Sequence, residues 1–175
     1  MHSPEYERYH QMWSERFPEP RPVGFEGTVF RNAYCPDCRF CCAPQAEGDK
    51  PFPMALLDRQ ISGRTPEDFY MLDSHTACLD QRGCRALTDR GCRLENELRP
   101  VACNLFPYVL VGMRLYLYLI CPASMLLAEE RLRAVGSEVH AWLKTLPRED
   151  LERISISIAA EDLAARYADL GMEAL

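Results

Sequence analysis

No run of lysines and arginines with interleaved aromatic residues occurs in this chain, and its formal charge is -6. A phosphate-tracking surface is therefore not expected, and nucleic acid is discounted as a partner. Long hydrophobic runs are missing too. The most apolar stretch, Val109 to Ile120, is twelve residues long and contains Arg114, against the ~20 residues that a bilayer crossing needs. No membrane span is expected. The first residues, MHSPEYERYHQMW, have neither a basic region nor an apolar core of the secretory kind, so a cytoplasmic location is expected. P-loop, dinucleotide fingerprint, nucleophile elbow and H-E-x-x-H motifs are all absent, which leaves no motif from which a reaction class follows. Internal repeats and low-complexity segments are absent as well.

Cysteine is what the chain has in quantity. Residues 35 to 42 read Cys-Pro-Asp-Cys-Arg-Phe-Cys-Cys, and five more cysteines follow, Cys78, Cys84, Cys92, Cys103 and Cys121. Cys35, Cys38 and Cys41 are separated by two residues each, the spacing at which thiolates of one tight loop converge on a metal or cluster. Cys42 adds a fourth sulfur to that loop. A reducing compartment and an odd count of nine both argue against a disulfide framework, so the nine are read as metal ligands.

Counting bonds narrows the metal. One tetrahedral zinc uses four thiolates and leaves five without a role, whereas two four-thiolate sites use eight. Three zinc ions use all nine if three sulfurs bridge, and the vicinal Cys41-Cys42 pair suits bridging or a split between adjacent sites. A second C-x2-C knuckle, the usual zinc sign, is missing: the later cysteines are separated by 5, 7, 10 and 17 intervening residues. C-x2-C-x2-C with a remote Cys-Pro, here Cys121-Pro122, is closer to iron–sulfur usage, although Gln45 stands where a bacterial ferredoxin run has its fourth cysteine. An iron–sulfur cluster is thus placed ahead of zinc. His75, three residues before Cys78, has the spacing of a further ligand but as a lone histidine reads better as a hydrogen-bonding residue. Arg99 suits either hydrogen bonds to coordinated sulfur or bonds to nearby carbonyls. Asp37 and Asp80 are acidic neighbours of the thiols with no sign of acid–base work.

At 175 residues and 47% hydrophobic composition, one domain with one ordinary core is expected. The fold class is α+β: a small irregular cysteine-rich metal-binding core with a short β-hairpin and a C-terminal antiparallel helix pair. Residues 1–25 form an N-terminal helical arm, 26–122 the cysteine-cluster core, and 123–175 the helical hairpin. Ser3 and Pro4 predict a helix over residues 4–16 presenting Tyr6, Tyr9 and Trp13. Residues 24–34 read as a short extended segment, MALLDRQI from Met54 as a helical piece, and Thr65-Pro66-Glu67-Asp68 as the start of another helix. The stretch from His75 to Pro107 has no period and is expected to fold around metal, not around apolar side chains. Two β-rich runs joined at Gly112-Met113 predict the hairpin. The stripes Ala128, Leu132, Val135, Val139, Trp142, Leu146 and Leu151, Ile154, Ile158, Leu163, Tyr167, Leu170 predict the two helices, with Gly171 as a C-cap.

With all nine positions laid out, the chain resembles the YkgJ-type family of zinc- or iron-chelating CxxCxxCC proteins. The residues carrying the likeness are Cys35 to Cys42, Cys78, Gly83-Cys84-Arg85-Ala86-Leu87, Gly91-Cys92-Arg93-Leu94, Arg99-Pro100-Val101-Ala102-Cys103-Asn104-Leu105-Phe106-Pro107 and Cys121-Pro122. They cover about half the chain. The family commonly has arginine after the cysteine of its Arg-Pro-x-x-Cys segment, where this chain has Asn104, and tyrosine where it has Leu94. The resemblance implies metal chelation and no particular reaction. Larger lysine methylases acting on flagellin resemble it in the cluster, but nothing here reads as a methyl-donor domain. Three functions stay open: a metal-binding protein in metal handling or redox, a metal-dependent enzyme or accessory factor of a protein-modifying enzyme with an open coordination site, and a structural zinc module displaying its helix pair to a partner protein whose identity is unknown.

Overall fold

A computed structural model describes residues 3–175; Met1 and His2, at the start of the expected N-terminal arm, lie outside the described residues. The first half carries α1 (Pro4–Arg16), β1 (Val23–Glu26), β2 (Val29–Asn32), α2 (Cys35–Cys38), β3 (Phe52–Ala55), α3 (Thr65–Asp68), β4 (Tyr70–Met71) and β5 (Thr76–Leu79). The second carries β6 (Leu87–Thr88), β7 (Gly91–Cys92), α4 (Val101–Leu105), β8 (Tyr108–Val111), β9 (Arg114–Tyr118), α5 (Pro122–Leu126), α6 (Glu129–Leu143), α7 (Arg148–Ile154), α8 (Ala160–Arg166) and β10 (Tyr167–Glu173). The class is mixed α+β, with small antiparallel sheets. Among the described residues no helix is long and apolar enough to cross a membrane. Two compact units divide the chain: residues 3–34 with 105–175, and residues 35–104. The division differs from the expected 26–122 core, because the β8–β9 hairpin belongs with the N-terminal helix and α6.

In the first unit, local chemistry sets the ends of α1 as expected. Ser3 Oγ accepts the Tyr6 N–H at 3.1 Å, Pro4 occupies the first helical position, and Glu5 and Glu7 lie in the first turn, where they complement the helix dipole. Trp13, 1% exposed, donates its indole N–H to the Ile120 carbonyl at 2.9 Å. The β8–β9 hairpin turns through Gly112 and Met113, both left-handed (φ 53° and 67°), the backbone that a two-residue primed turn demands. Helix α6 approaches this sheet closely at Gly136, where a Cβ would stand 3.1 Å from Leu170 and 3.2 Å from Tyr108. Leu132, Val135, Val139 and Leu143 of α6 are buried, and the Tyr108 hydroxyl donates to the Leu132 carbonyl.

The second expected C-terminal helix does not form as one helix. It is divided into α7, α8 and β10, and β10 pairs antiparallel with β9, giving the order β10-β9-β8. The alternation Ile154-Ser155-Ile156-Ser157-Ile158 has period two, and the chain uses it: Ile156 bridges Val111, and Ser155 Oγ accepts the Met113 N–H. Beyond it, residues 167–173 satisfy the open edge of β9, a gain no isolated helix offers. Gly171 consequently sits in the bulge between Asp169 and Met172 (φ 71°) in place of a C-cap.

In the second unit, β3, β5 and β4 form a sheet in that order. Residues 54–61 are not helical: Met54 lies in β3 opposite Ala77, and a single 3-10 turn over Asp58–Gln60 follows, with Gln60 Oε1 accepting the Leu57 N–H. The expected helix at residues 65–68 is present as α3. The stretch from His75 onward does contribute to an apolar cluster, since Ala77, Leu79, Ala86 and Leu94 are buried with Met54, Leu56 and Phe69. Short strands spaced by turns carry no long periodicity, which is why this core was invisible as a pattern.

Candidate metal-binding site

The loop Cys35–Cys42 begins as the single turn of α2 and reverses at Arg39, which is left-handed (φ 53°), into a 3-10 turn over Phe40–Cys42. Arg39 holds the reversal: its Nε donates to the Pro36 carbonyl at 3.0 Å and its Nη2 to the Asp89 carbonyl. Cys35 is exposed; Cys38, Cys41 and Cys42 are half-buried. The Cys41 and Cys42 sulfurs stand 4.0 Å apart in hydrogen-bond contact.

Four more thiols come from the rest of the same unit. Cys78, buried in β5, donates to Asp80 Oδ2 at 3.8 Å, and Asp80 is gripped by Arg82 at 2.6 Å. That guanidinium holds the Asp80 carboxyl down at about 2. Arg82 also lies over the Tyr70 ring, 3.9 Å from its centre. Cys84 follows Gly83 and donates its backbone N–H to the Cys42 carbonyl at 2.9 Å. Cys92, exposed in β7, is paired with Leu87 of β6. Cys103 in α4 contacts Met54, with Sγ to Sδ at 3.5 Å.

Cys84 lies within electrostatic reach of Cys42 and Cys92, and Cys103 within reach of all three. The hydrogen bond from Cys41 holds the Cys42 thiol down at about 7, against its burial and with help from the Arg99 charge. Burial pushes Cys84 up, and charge on Cys42 and Cys92 adds to that. Cys103 is raised well above an ordinary thiol: burial of its sulfur is the larger cause, although the residue retains exposed surface, and Cys42, Cys84 and Cys92 follow. Arg99 opposes that rise while its Nε donates to the Leu94 carbonyl and its own carbonyl accepts from Gln60. Of its two expected roles it fills the bond to a nearby carbonyl, at Leu94; its charge lies beside the thiols, with no hydrogen bond to sulfur among the described contacts.

The remaining candidates are placed as follows. His75 directs Nδ1 to Ser74 Oγ at 2.7 Å and Nε2 toward Asp58 at 3.8 Å, the hydrogen-bonding role. Gln45 braces the cysteine loop, its Nε2 donating to the Ala43 and Cys41 carbonyls. Asn104 donates to the Asn96 carbonyl while its buried Oδ1 has no hydrogen-bond partner. Cys121 belongs to the other unit, where it is 6% exposed at the N-cap of α5 and its sulfur accepts from Asn32 Nδ2 at 3.8 Å. No cysteine of the chain is in a disulfide among the described residues. Nor, among them, does any group of three or more His, Cys, Asp or Glu side chains stand in an arrangement that could hold a metal ion. Sequence reasoning missed Met54 and Arg82 as neighbours of the thiols, and took Gly83 and Asp80 only as residues flanking cysteines along the chain. For Gly83 a signal existed, a glycine directly before a cysteine. No family model, no curated protein and no solved structure matches this chain.

Proposed function

We propose that this chain is a cytoplasmic metal-binding protein whose unit 35–104 holds zinc or an iron–sulfur cluster through cysteine thiolates, in metal handling or redox. The observation that carries this reading is the contact of Cys41 and Cys42 at 4.0 Å beside the bond that ties Cys84 to Cys42. Two thiolates on one tetrahedral zinc are about 3.8 Å apart, given Zn–S bonds of ~2.3 Å. The donor set is soft, which suits zinc and the iron of a cluster alike. Cys84 and Cys103 are the thiols on which Cys42 and Cys92 act, and the Arg99 charge would offset part of the negative charge that Cys42 and Cys103 carry as ligands. The metal's own contribution would be to join these sulfurs. Thiols that approach without forming a ready-made site fit a centre whose assembly is coupled to folding. The resemblance to the YkgJ-type CxxCxxCC family points the same way.

The test is anaerobic purification followed by iron, zinc and acid-labile sulfide analysis per chain. Iron with matching sulfide, or zinc without it, is the expected result, reduced in the Cys42→Ser and Cys84→Ser variants. A chain that carries neither metal, and takes up neither on addition, overturns the reading.

A further inference from the structure

The backbone around Cys42 and Cys84 is clasped from both sides. Cys84 N–H donates to the Cys42 carbonyl at 2.9 Å, Gln45 N–H to the Asp80 carbonyl at 3.0 Å, and Gly83 N–H closes the turn onto that same Asp80 carbonyl at 2.9 Å. The Gln45 side chain tightens the other arm through its bonds to Ala43 (2.7 Å) and Cys41 (3.4 Å). At the point of closest approach stands Gly83. A Cβ there would meet the Pro44 nitrogen at 2.9 Å, the Ala43 carbonyl carbon at 3.1 Å and the Cys42 oxygen at 3.1 Å. All three are backbone atoms, so no rotamer change makes room.

Gly83 is also left-handed (φ 73°), which favours glycine for a separate reason. Gly48 separates the two effects. It is left-handed as well (φ 90°), in the same unit, yet a Cβ there would meet nothing within 4 Å. A side chain at position 48 therefore costs backbone conformation alone; one at 83 costs that and also pushes residues 80–84 away from 42–45.

Resting on the metal reading above, we propose that Gly83 is a positioning residue of the metal site. Its missing side chain lets the two segments close to hydrogen-bond distance, so that Cys42 and Cys84 are delivered to one ion, with Gln45 bracing the opposite arm. Ligand constellations work only when held within about 0.5 Å of their geometry, and the displacement forced by a Cβ at this point is of that size.

Cobalt(II) is the probe, added anaerobically to the full metal-free chain and followed by its thiolate charge-transfer absorption, with amide hydrogen exchange in parallel. In Gly83→Ala the cobalt affinity is expected to fall about tenfold or more, the range for losing support around metal ligands, with a weaker charge-transfer band and a deprotected Cys84 amide. Gly48→Ala is expected to keep all three at wild-type values. Exchange at Ala77 and Leu79 in β5 reports whether the unit remains folded. Should Gly83→Ala lose that protection, Gln45→Ala, which removes only side-chain bonds of the same clasp, carries the test with an expected loss of about tenfold or less. Wild-type affinity and spectrum in the folded Gly83→Ala variant would overturn the inference alone, as would an equal loss in Gly48→Ala. A wild-type chain that takes up no cobalt would overturn the metal reading, and the inference with it.

Discussion

Residues 35–104 and the unit of residues 3–34 with 105–175 close their interiors with different material. The latter buries Trp13, Tyr34, Tyr108, Leu115, Ile120, Val135, Val139, Leu143 and Leu151 almost completely, and holds one cysteine, Cys121. The former has only Met54, Leu56 and Leu57 buried to that degree among its large side chains, yet holds eight cysteines. A domain of roughly 70 residues seldom obtains more than about 3–5 kcal/mol from its apolar core and commonly adds a disulfide or a metal. On the proposed reading, metal would supply in the 35–104 unit what aromatic and aliphatic bulk supplies in the other.

Metal removal is the widest way to break that comparison. Structural zinc contributes on the order of 10 kcal/mol in small thiolate modules. A chelator is therefore expected to lower amide protection in β5, β6 and β7 without abolishing it, while leaving that of the β8–β9 hairpin unchanged; hydrogen exchange with and without chelator reads both at once. Loss of protection in both units together, or in neither, would remove the contrast.

Core truncation comes next in size. Trp13→Ala deletes a buried ring and its bond to Ile120 and is expected to cost about 3–5 kcal/mol, read as lost protection of β8 and β9. Met54→Ala, at the low end of about 2–5 kcal/mol for such changes, removes most of what the smaller core supplies. The metal-free 35–104 unit is expected to unfold with it, and metal to rescue it. Circular dichroism melts of the metal-free and metal-loaded variants check this, and equal stability of the two forms would count against the division of labour.

The smallest effect separates the units by pH. Asp169 accepts the Gly171 N–H and is paired with Arg114, in that order of importance, and both hold its carboxyl below the usual carboxylate range. A carboxyl lowered in the folded state adds stability at pH above its unfolded value, ~3.9, and loses it as pH falls through the lower folded value. Asp169→Asn is expected to flatten the acid limb of stability for the unit containing β10 and to leave amide protection of β5 unchanged at every pH. An unchanged acid limb in the variant would show that the pair contributes nothing measurable, as exposed ion pairs often do.

Helix α1 and the β8–β9 hairpin were legible in the sequence because their signals are local. A capping serine before a proline and two residues able to turn left-handed act on backbone within a few positions. Residues 155–173 were misread for the opposite reason. Their apolar residues fit a helical stripe, but Ile156 and β10 are settled by strands far away in sequence, at Val111 and residues 114–118. Met54 fits a helical run as well, and only pairing with Ala77 in β5 makes it a strand residue. His75 and Arg99 could be weighed but not decided until Ser74, Asp58 and Leu94 were seen beside them.

What the sequence determined by itself is the chemical loading of the chain: nine thiols, the tight C-x2-C-x2-C-C loop, and the absence of a long basic run or a membrane-length apolar run. These follow from residue identity and spacing, which folding does not alter. Which cysteines distant in sequence are tied together was decided only by the tertiary structure. Cys84 reaches Cys42 because Gly83 has no side chain where two backbones touch, and eight sulfurs share a unit that excludes Cys121 because strand pairing and burial divided the chain between them. Contacts of that kind depend on atoms distant in sequence and on space that no spacing rule counts.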